Sequence, residues 1–480
     1  MGNVIGERIP CPLRAAALEY APEPAVVRAG GTLSYGELDL RVSMAADAFG
    51  ERGVREGARV AMYLPKDERY FVLLLAILRL GAVACPISTR LPRRGVERLL
   101  EDAGCEALIS DDEQLLEGAE APHGLRPAEL LSGRTTGDLS TPLYLRTGIE
   151  ATVVYTSGST GRPKGALHTL ANHVYSALGS NANITLAPGD RWLHALPLYH
   201  VGGLSIIFRC LLARAAIVLP EVGVGVGEGI STLGATHVSL VATQLLRLLD
   251  EDVPLDGLRA ILLGGSAVSP SLVARARERG LPVHTSYGLT EMASQVTTTR
   301  PGASPEELLT SGSVLPHREL SISSGGEILV RGRTLFAGYV EGEGVRLPVD
   351  REGWFHTEDL GTLDAEGRLL VRGRRDNMFV SGGENVQPEE IEAVLGGLQG
   401  VLSAVVVPVP DPEFGARPVA FVRAGEGVSM DHLATALESV LPRFAIPTAF
   451  HPWPEGLPEG MKPDRALLAR LARQAEPENP

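Results

Sequence analysis

The period of apolar and polar positions changes several times along the chain, and each change predicts an element. Residues 60–64, 82–85 and 107–109 are short apolar runs that read as strands. Between them, 68–80 and 91–102 carry apolar residues at helical spacing. Leu38, Val42, Ala45, Ala46 and Phe49 do the same, and Ser34 with Glu37 three residues later is a capping-box start for that helix. Strands alternating with helices imply a parallel sheet covered by helices. Residues 111–148 are polar and rich in proline and glycine, which predicts an irregular connection. The pattern then resumes with a strand at 151–154, a helix at 172–180, a strand at 191–196 and a long apolar run at 204–219. A strand at 257–263 and a helix at 270–279 follow, with Pro270 in its first turn.

From about Gly312 the chain turns to short strands, at 327–331, 361–363 and 369–372. The last two flank the turn 364–367 and predict a hairpin. Beyond Asp376 come a helix at 389–395, strands at 401–407 and 419–422, and helices at 430–440 and 464–473. The fold class expected is α/β. A large N-terminal domain, 1–375, would hold helix-covered sheets and a β-rich subdomain, and a small α+β domain would occupy 376–480.

Composition narrows the functions. The chain has 480 residues, too many for one core. A net charge of −14 argues against nucleic acid or an anionic membrane surface as a general partner. The longest apolar run, 70–87, contains Arg79 and is broken by Gly81 and Pro86, so no membrane span is expected. Cys11, Cys85, Cys105 and Cys210 have neither zinc-site nor disulfide-framework spacing. The N-terminus has no basic segment leading into an apolar core, so no signal peptide is read. A reducing cytoplasm fits these features, and homo-oligomerisation stays open.

The densest chemistry lies at 155–165, Tyr-Thr-Ser-Gly-Ser-Thr-Gly-Arg-Pro-Lys-Gly. Three glycines let backbone N–H groups approach a ligand, four hydroxyls of Ser and Thr add donors, and Lys164 adds a point charge. A polyphosphate is the ligand this suits. It is not a Walker A loop, because no hydroxyl follows the lysine and the lysine does not follow glycine. A plain Gly/Ser loop is the bland alternative.

Two further sites stand out. The hairpin places Asp359 near residues 372–374, where a carboxylate and a guanidinium could grip the vicinal hydroxyls of a ribose or simply pair with each other. Arg209 sits in the middle of an apolar run. It either reaches the surface or an ion pair, or it faces a substrate pocket and holds an anionic group.

The motifs Tyr155–Gly165, Tyr287-Gly-Leu-Thr-Glu291, 354–361, and 373–377 with 381–385 occur in an order and spacing that resemble the adenylate-forming superfamily of acyl-CoA synthetases, luciferases and adenylation domains. The resemblance spans about 32–465. It implies a mobile C-terminal domain hinged at Asp376. Position by position it implies that Thr156, Ser157, Gly158, Ser159, Thr160, Gly161 and Lys164 hold the ATP phosphates. Gly264, Gly265, Ser266, Ser286 and Tyr287 would line the adenine and acyl sites, and Asp359 and Arg374 would hold the ribose. Thr290 would contact the α-phosphate, Glu291 would ligate Mg2+, and His200 would be the gate beside the reacting carboxylate. The lysine of the first half-reaction would be Lys462, although Met461 separates it from Gly460 and the segment is shorter than the family's.

The segments 192–200, 203–209, 290–296 and 381–388 further resemble the o-succinylbenzoate–CoA ligases of menaquinone biosynthesis. That resemblance implies ATP, Mg2+ and coenzyme A, and a small-molecule acid that is a dianion. Arg209 would meet its second carboxylate, with Gly288, Ser294 and Gln295 alongside. The alternatives are a ligase for a fatty or cinnamic acid and a catalytically silent nucleotide-binding module.

Overall fold

The computed structural model describes residues 7–118, 123–135, 137–156, 163–265, 268–342, 344–425, 428–438, 440–454 and 464–475. Two large sheets carry the N-terminal part, one of eight strands and one of nine. Both are mixed. Parallel pairing joins Arg59–Tyr63 to Val83–Pro86 and Ala107–Ser110 in one sheet, and Arg191–Leu193, His237–Leu240, Ala260–Leu263 and Val283–Leu289 in the other. Antiparallel pairs form one edge of the eight-stranded sheet and both edges of the nine-stranded one, so the expectation of a parallel sheet holds only in part. The largest core lies around helices Tyr35–Glu51, Glu68–Leu80 and Val201–Ala213, whose apolar faces bury Leu38, Phe71 and Ile207.

The capping box of Ser34 and Glu37 forms as expected. The region 111–148 is more ordered than its composition suggested. It contains helix Glu113–Gly118 and strand His123–Leu125, which adds to the eight-stranded sheet. The apolar run after residue 200 divides into helix Val201–Ala213 and strand Ala216–Leu219, and Arg214 ends the helix in the left-handed conformation. The strand read at 191–196 stops at Leu193, because the chain must leave the sheet to reach His200.

A four-stranded sheet follows, and its hairpin pairs Asp359 with Arg374 as predicted. From Phe379 onward two further apolar clusters are built wholly from residues 379–472. Helix Pro388–Gly397 packs there against the strand pair Val401–Asp411 and Gly415–Ala424. Among the described residues no helix is long and apolar enough to cross a membrane.

Candidate active site

The antiparallel hairpin of Val283–Leu289 and Ser294–Thr298 is the spine of the site. Its two strands are joined by a single 3-10 turn, Thr290–Met292. A register shift at Tyr287 and Gly288 brings the chain so close to itself that a Cβ on Gly288 would stand 2.3 Å from the Ser294 carbonyl oxygen. Ala293 and Ser294 both take positive φ, at 54° and 141°. Non-glycine residues seldom sit there, and such conformations are tolerated where the surroundings over-determine them. Here the surroundings hold the turn from both sides. The Phe336 amide donates to the Glu291 carbonyl at 2.8 Å, and His168 Nε2 donates to the Thr290 carbonyl at 2.7 Å.

Two paired strands flank the phosphate segment. Glu150–Thr156 and Lys164–Thr169 pair antiparallel, with Thr156 directly opposite Lys164. Ser157, Gly158, Ser159, Thr160 and Gly161 lie outside the described residues, as do Ser266 and Lys462. Lys164 itself is exposed, with Nζ 5.3 Å from the ring centre of Tyr339. The Tyr339 hydroxyl donates to Glu291 Oε1 at 2.5 Å. One tyrosine therefore joins the phosphate-loop lysine to the acidic turn. Burial, then the neighbouring Glu291 charge, raise the Tyr339 phenol, so it stays a donor.

The next residues back along the spine reach the other nucleotide-site candidates. The Ser286 hydroxyl donates to the Leu263 carbonyl at 2.7 Å, which places it against Gly264. Gly265 has φ 84°, a conformation that suits glycine. The Tyr287 hydroxyl donates to Asp359 Oδ2 at 2.6 Å. Arg374 meets Asp359 at 3.3 Å, Glu358 at 3.1 Å and Asp376 at 2.8 Å. The hinge candidate is thus tied to the hairpin candidates in one acidic cluster around one guanidinium.

Arg209 is not at the surface, and among the described residues it has no ion-pair partner. It is 1% exposed in the middle of helix Val201–Ala213. Nη2 donates to Ser294 Oγ at 3.0 Å and to Gln295 Oε1 at 2.9 Å, while Nε and Nη1 have no partner among the described residues. Its guanidinium lies 5.2 Å from the Trp192 ring. Burial lowers its pKa to about 10, so it remains charged at neutral pH. A buried cation with two neutral partners is costly unless a ligand completes it. A second buried arginine, Arg318, bonds the Pro316 and Ser176 carbonyls, and Ser176 Oγ donates to the Ala293 carbonyl next to Ser294. His200 stands exposed at the N-cap of the same helix, with its ring edge against Tyr199.

Three contributors were not singled out from sequence: Tyr339, His168 and Thr152. The Thr152 hydroxyl bonds His173 Nε2 at 2.8 Å, and His173 stacks on Phe208, one residue before Arg209. The signal available was polarity: Thr152 and His168 face each other across the hairpin between the apolar residues Ala151, Val153, Val154, Ala166 and Leu167.

Similarity to known proteins agrees with this geometry. The AMP-binding enzyme family matches residues 13–340, and the AMP-binding enzyme C-terminal domain matches 390–459. The 2-succinylbenzoate–CoA ligase of Bacillus velezensis is 36% identical over 412 residues, covering 83% of this chain and 84% of its own. That of Escherichia coli is 36% identical over 442 residues, covering 89% and 90%. An arginine-to-lysine variant of E. coli MenE with OSB-AMS bound superposes with TM-score 0.86 at 32% identity, covering 98% of this chain and 100% of that one. Bacillus subtilis MenE with the acyl-adenylate OSB-AMP gives 0.85 at 31%, covering 96% and 98%. Two family matches that share out the chain, with relatives above 30% identity along nearly all of it, carry the likeness well past fold: the chain belongs to the AMP-binding enzymes, as an AMP-forming acid–CoA ligase of the 2-succinylbenzoate–CoA ligase family.

Proposed function

We propose that this enzyme converts 2-succinylbenzoate, ATP and coenzyme A to 2-succinylbenzoyl-CoA, AMP and diphosphate, a step of menaquinone biosynthesis. Arg209 carries the choice of acid. Its two unpartnered nitrogens lie in a buried site beside Ser294 and Gln295, four and five residues from Thr290. A dianionic substrate has one carboxylate to activate and one to leave in contact with a guanidinium. A fatty or cinnamic acid would leave that cation uncompensated.

The reaction begins with attack of a carboxylate oxygen on the α-phosphorus, with diphosphate leaving. A thiol then attacks the acyl carbonyl and AMP leaves. Negative charge gathers on the phosphoryl oxygens as the first bond forms, so positioned cations and N–H donors lower the barrier. Thr156, Lys164 and the residues from Ser157 to Gly161 hold the phosphates in this reading. Thr290 meets the α-phosphate, and Lys462 serves the adenylation step. Gly264, Gly265, Ser266, Ser286 and Tyr287 line the base, and Asp359 and Arg374 hold the ribose. His200, Gly288, Ser294 and Gln295 flank the acid.

Mg2+ fits the donor set. Glu291 presents an ionisable carboxylate whose Oε1 is oriented by Tyr339, and no group of three or more ligating side chains gathers among the described residues. Magnesium is usually held by one or two carboxylates with substrate phosphates and water completing the shell, and there it neutralises phosphate charge. The domain boundary is placed at Asp376, and the enzyme in the cytoplasm, where ATP and coenzyme A are available.

The test is diphosphate release with a panel of acids. The expected result is activity on 2-succinylbenzoate at least a hundredfold above benzoate, cinnamate or fatty acids. In Arg209→Met that preference should fall by about 10²–10³, as removal of one partner from a buried charge pair does. Activity on monocarboxylates alone would refute the assignment.

A further inference from the structure

Lys66, Lys164 and Lys462 are the only lysines in the chain, against 41 arginines. Two belong to the adenylation reading above, and Lys66 does not. Arginine is permanently charged and carries its donors on a broad planar fork, whereas lysine is a compact amine on a flexible stem. A chain that uses arginine almost everywhere keeps lysine where that fork does not serve.

Lys66 follows strand Arg59–Tyr63 and immediately precedes Asp67, the N-cap of helix Glu68–Leu80. Its Nζ is half-buried and donates to the carbonyl of His194 at 2.5 Å. Among the described residues it has no carboxylate partner. This hydrogen bond crosses from the eight-stranded sheet to the nine-stranded one, because His194 is the first residue beyond strand Arg191–Leu193. The imidazole of His194 is fully buried. Its Nε2 bonds the Gly203 carbonyl at 3.0 Å, and its ring lies edge-on to Phe71 at 5.4 Å.

The segment between these anchors is wound tightly. The His200 amide donates to the Pro197 carbonyl at 3.3 Å, and the Gly203 and Leu204 amides both donate to the His200 carbonyl. A Cβ on Gly203 would stand 2.1 Å from the Pro197 oxygen, so only glycine closes the loop. Lys66 grips the start of this loop, and His200 stands near its end.

We propose that Lys66 is a positioning residue for the ligase reaction: by clamping the His194 carbonyl it fixes the 194–203 loop and so sets the place of His200 beside the acid. The proposal rests on the ligase reading given above. Burial lowers the Lys66 pKa to about 8, so the folded protein holds this ammonium against its own preference for water. An unpaired, desolvated cation resting on a neutral carbonyl adds little to stability, and a role in holding the loop explains why it is kept.

Lys66→Met and Lys66→Arg test this in the full chain. Hydrogen exchange without any substrate should show the His200, Gly203 and Leu204 amides exchanging at least tenfold faster in Lys66→Met, with helix Glu68–Leu80 unchanged. Unchanged exchange in the loop overturns the proposal. In diphosphate release, kcat should fall about tenfold while the KM for ATP stays within twofold, a split that general loss of structure would not give. Lys66→Arg should share the defect, and wild-type rate and exchange in that variant would overturn the need for a compact amine. An inactive wild-type enzyme on every acid would count against the ligase reading, whereas the exchange result bears on Lys66 alone.

Discussion

Tyr339 links two residues that carry opposite charge and act on the same ligand in the proposed reaction. Its ring lies under Lys164 and its hydroxyl points at Glu291. Tyr339→Phe keeps the ring and removes the hydroxyl, leaving the Glu291 carboxylate without that donor. Hydrogen bonds to charged groups contribute about 1.5–3 kcal/mol. The expected outcome is a tenfold or greater fall in kcat for diphosphate release and a raised requirement for Mg2+, read from a magnesium titration. Equal magnesium curves for the two proteins would remove Tyr339 from the site. Residues of this kind are hard to find from sequence. Tyr339 lies in an apolar run, 335–340, and its hydroxyl acquires meaning only when the strand pairing Ala166↔Tyr339 brings it over Lys164.

Whole elements were far more legible. The Ser34–Glu37 capping box, the helix at 270–278 and the Asp359–Arg374 pairing all follow from local rules: a side chain reaching a free amide, proline in a first turn, a turn that sets strand register. Where composition misled most, long-range pairing overrode it. Strand His123–Leu125 forms in a polar stretch because the edge of a sheet is open to it. The fate of Arg209 was equally out of reach, since spacing says that it interrupts an apolar helix and says nothing of which helix face meets Ser294. The spine hairpin gives the sharpest test at this scale. Gly288→Ala would put a methyl group 2.3 Å from the Ser294 oxygen. Overpacking of this type costs about 1–3 kcal/mol. Denaturant midpoints should show that loss, and activity should fall further than stability, because the strain is relieved by moving the Thr290–Glu291 turn. A variant with wild-type rate would show that the turn does not depend on this bulge.

The molecule as a whole is poised against acid. Burial lowers His168 to about 4, and burial with the Lys66 charge lowers His194 to about 3; His173 moves the same way. In the unfolded chain each titrates near 6.5. As the pH falls below 6.5, the unfolded chain takes up protons that the folded one refuses, so folding stability is lost with falling pH. For His168 alone the full shift corresponds to about 3 kcal/mol. Urea midpoints should therefore drop steeply between pH 6.5 and 4.5, and His168→Gln should flatten that drop. A flat profile in the wild-type protein would contradict the neutral, buried assignment of these rings.

The buried guanidinium of Arg209 has a consequence for the enzyme at rest. A buried charge with two nitrogens unpartnered among the described residues makes the fold less stable than an apolar side chain there could make it. Selection for catalysis and selection for durability pull apart at this one position. If Arg209 meets the second carboxylate as proposed, the acid would act as a missing piece of the core, and its binding would raise the stability of the fold in proportion to its concentration.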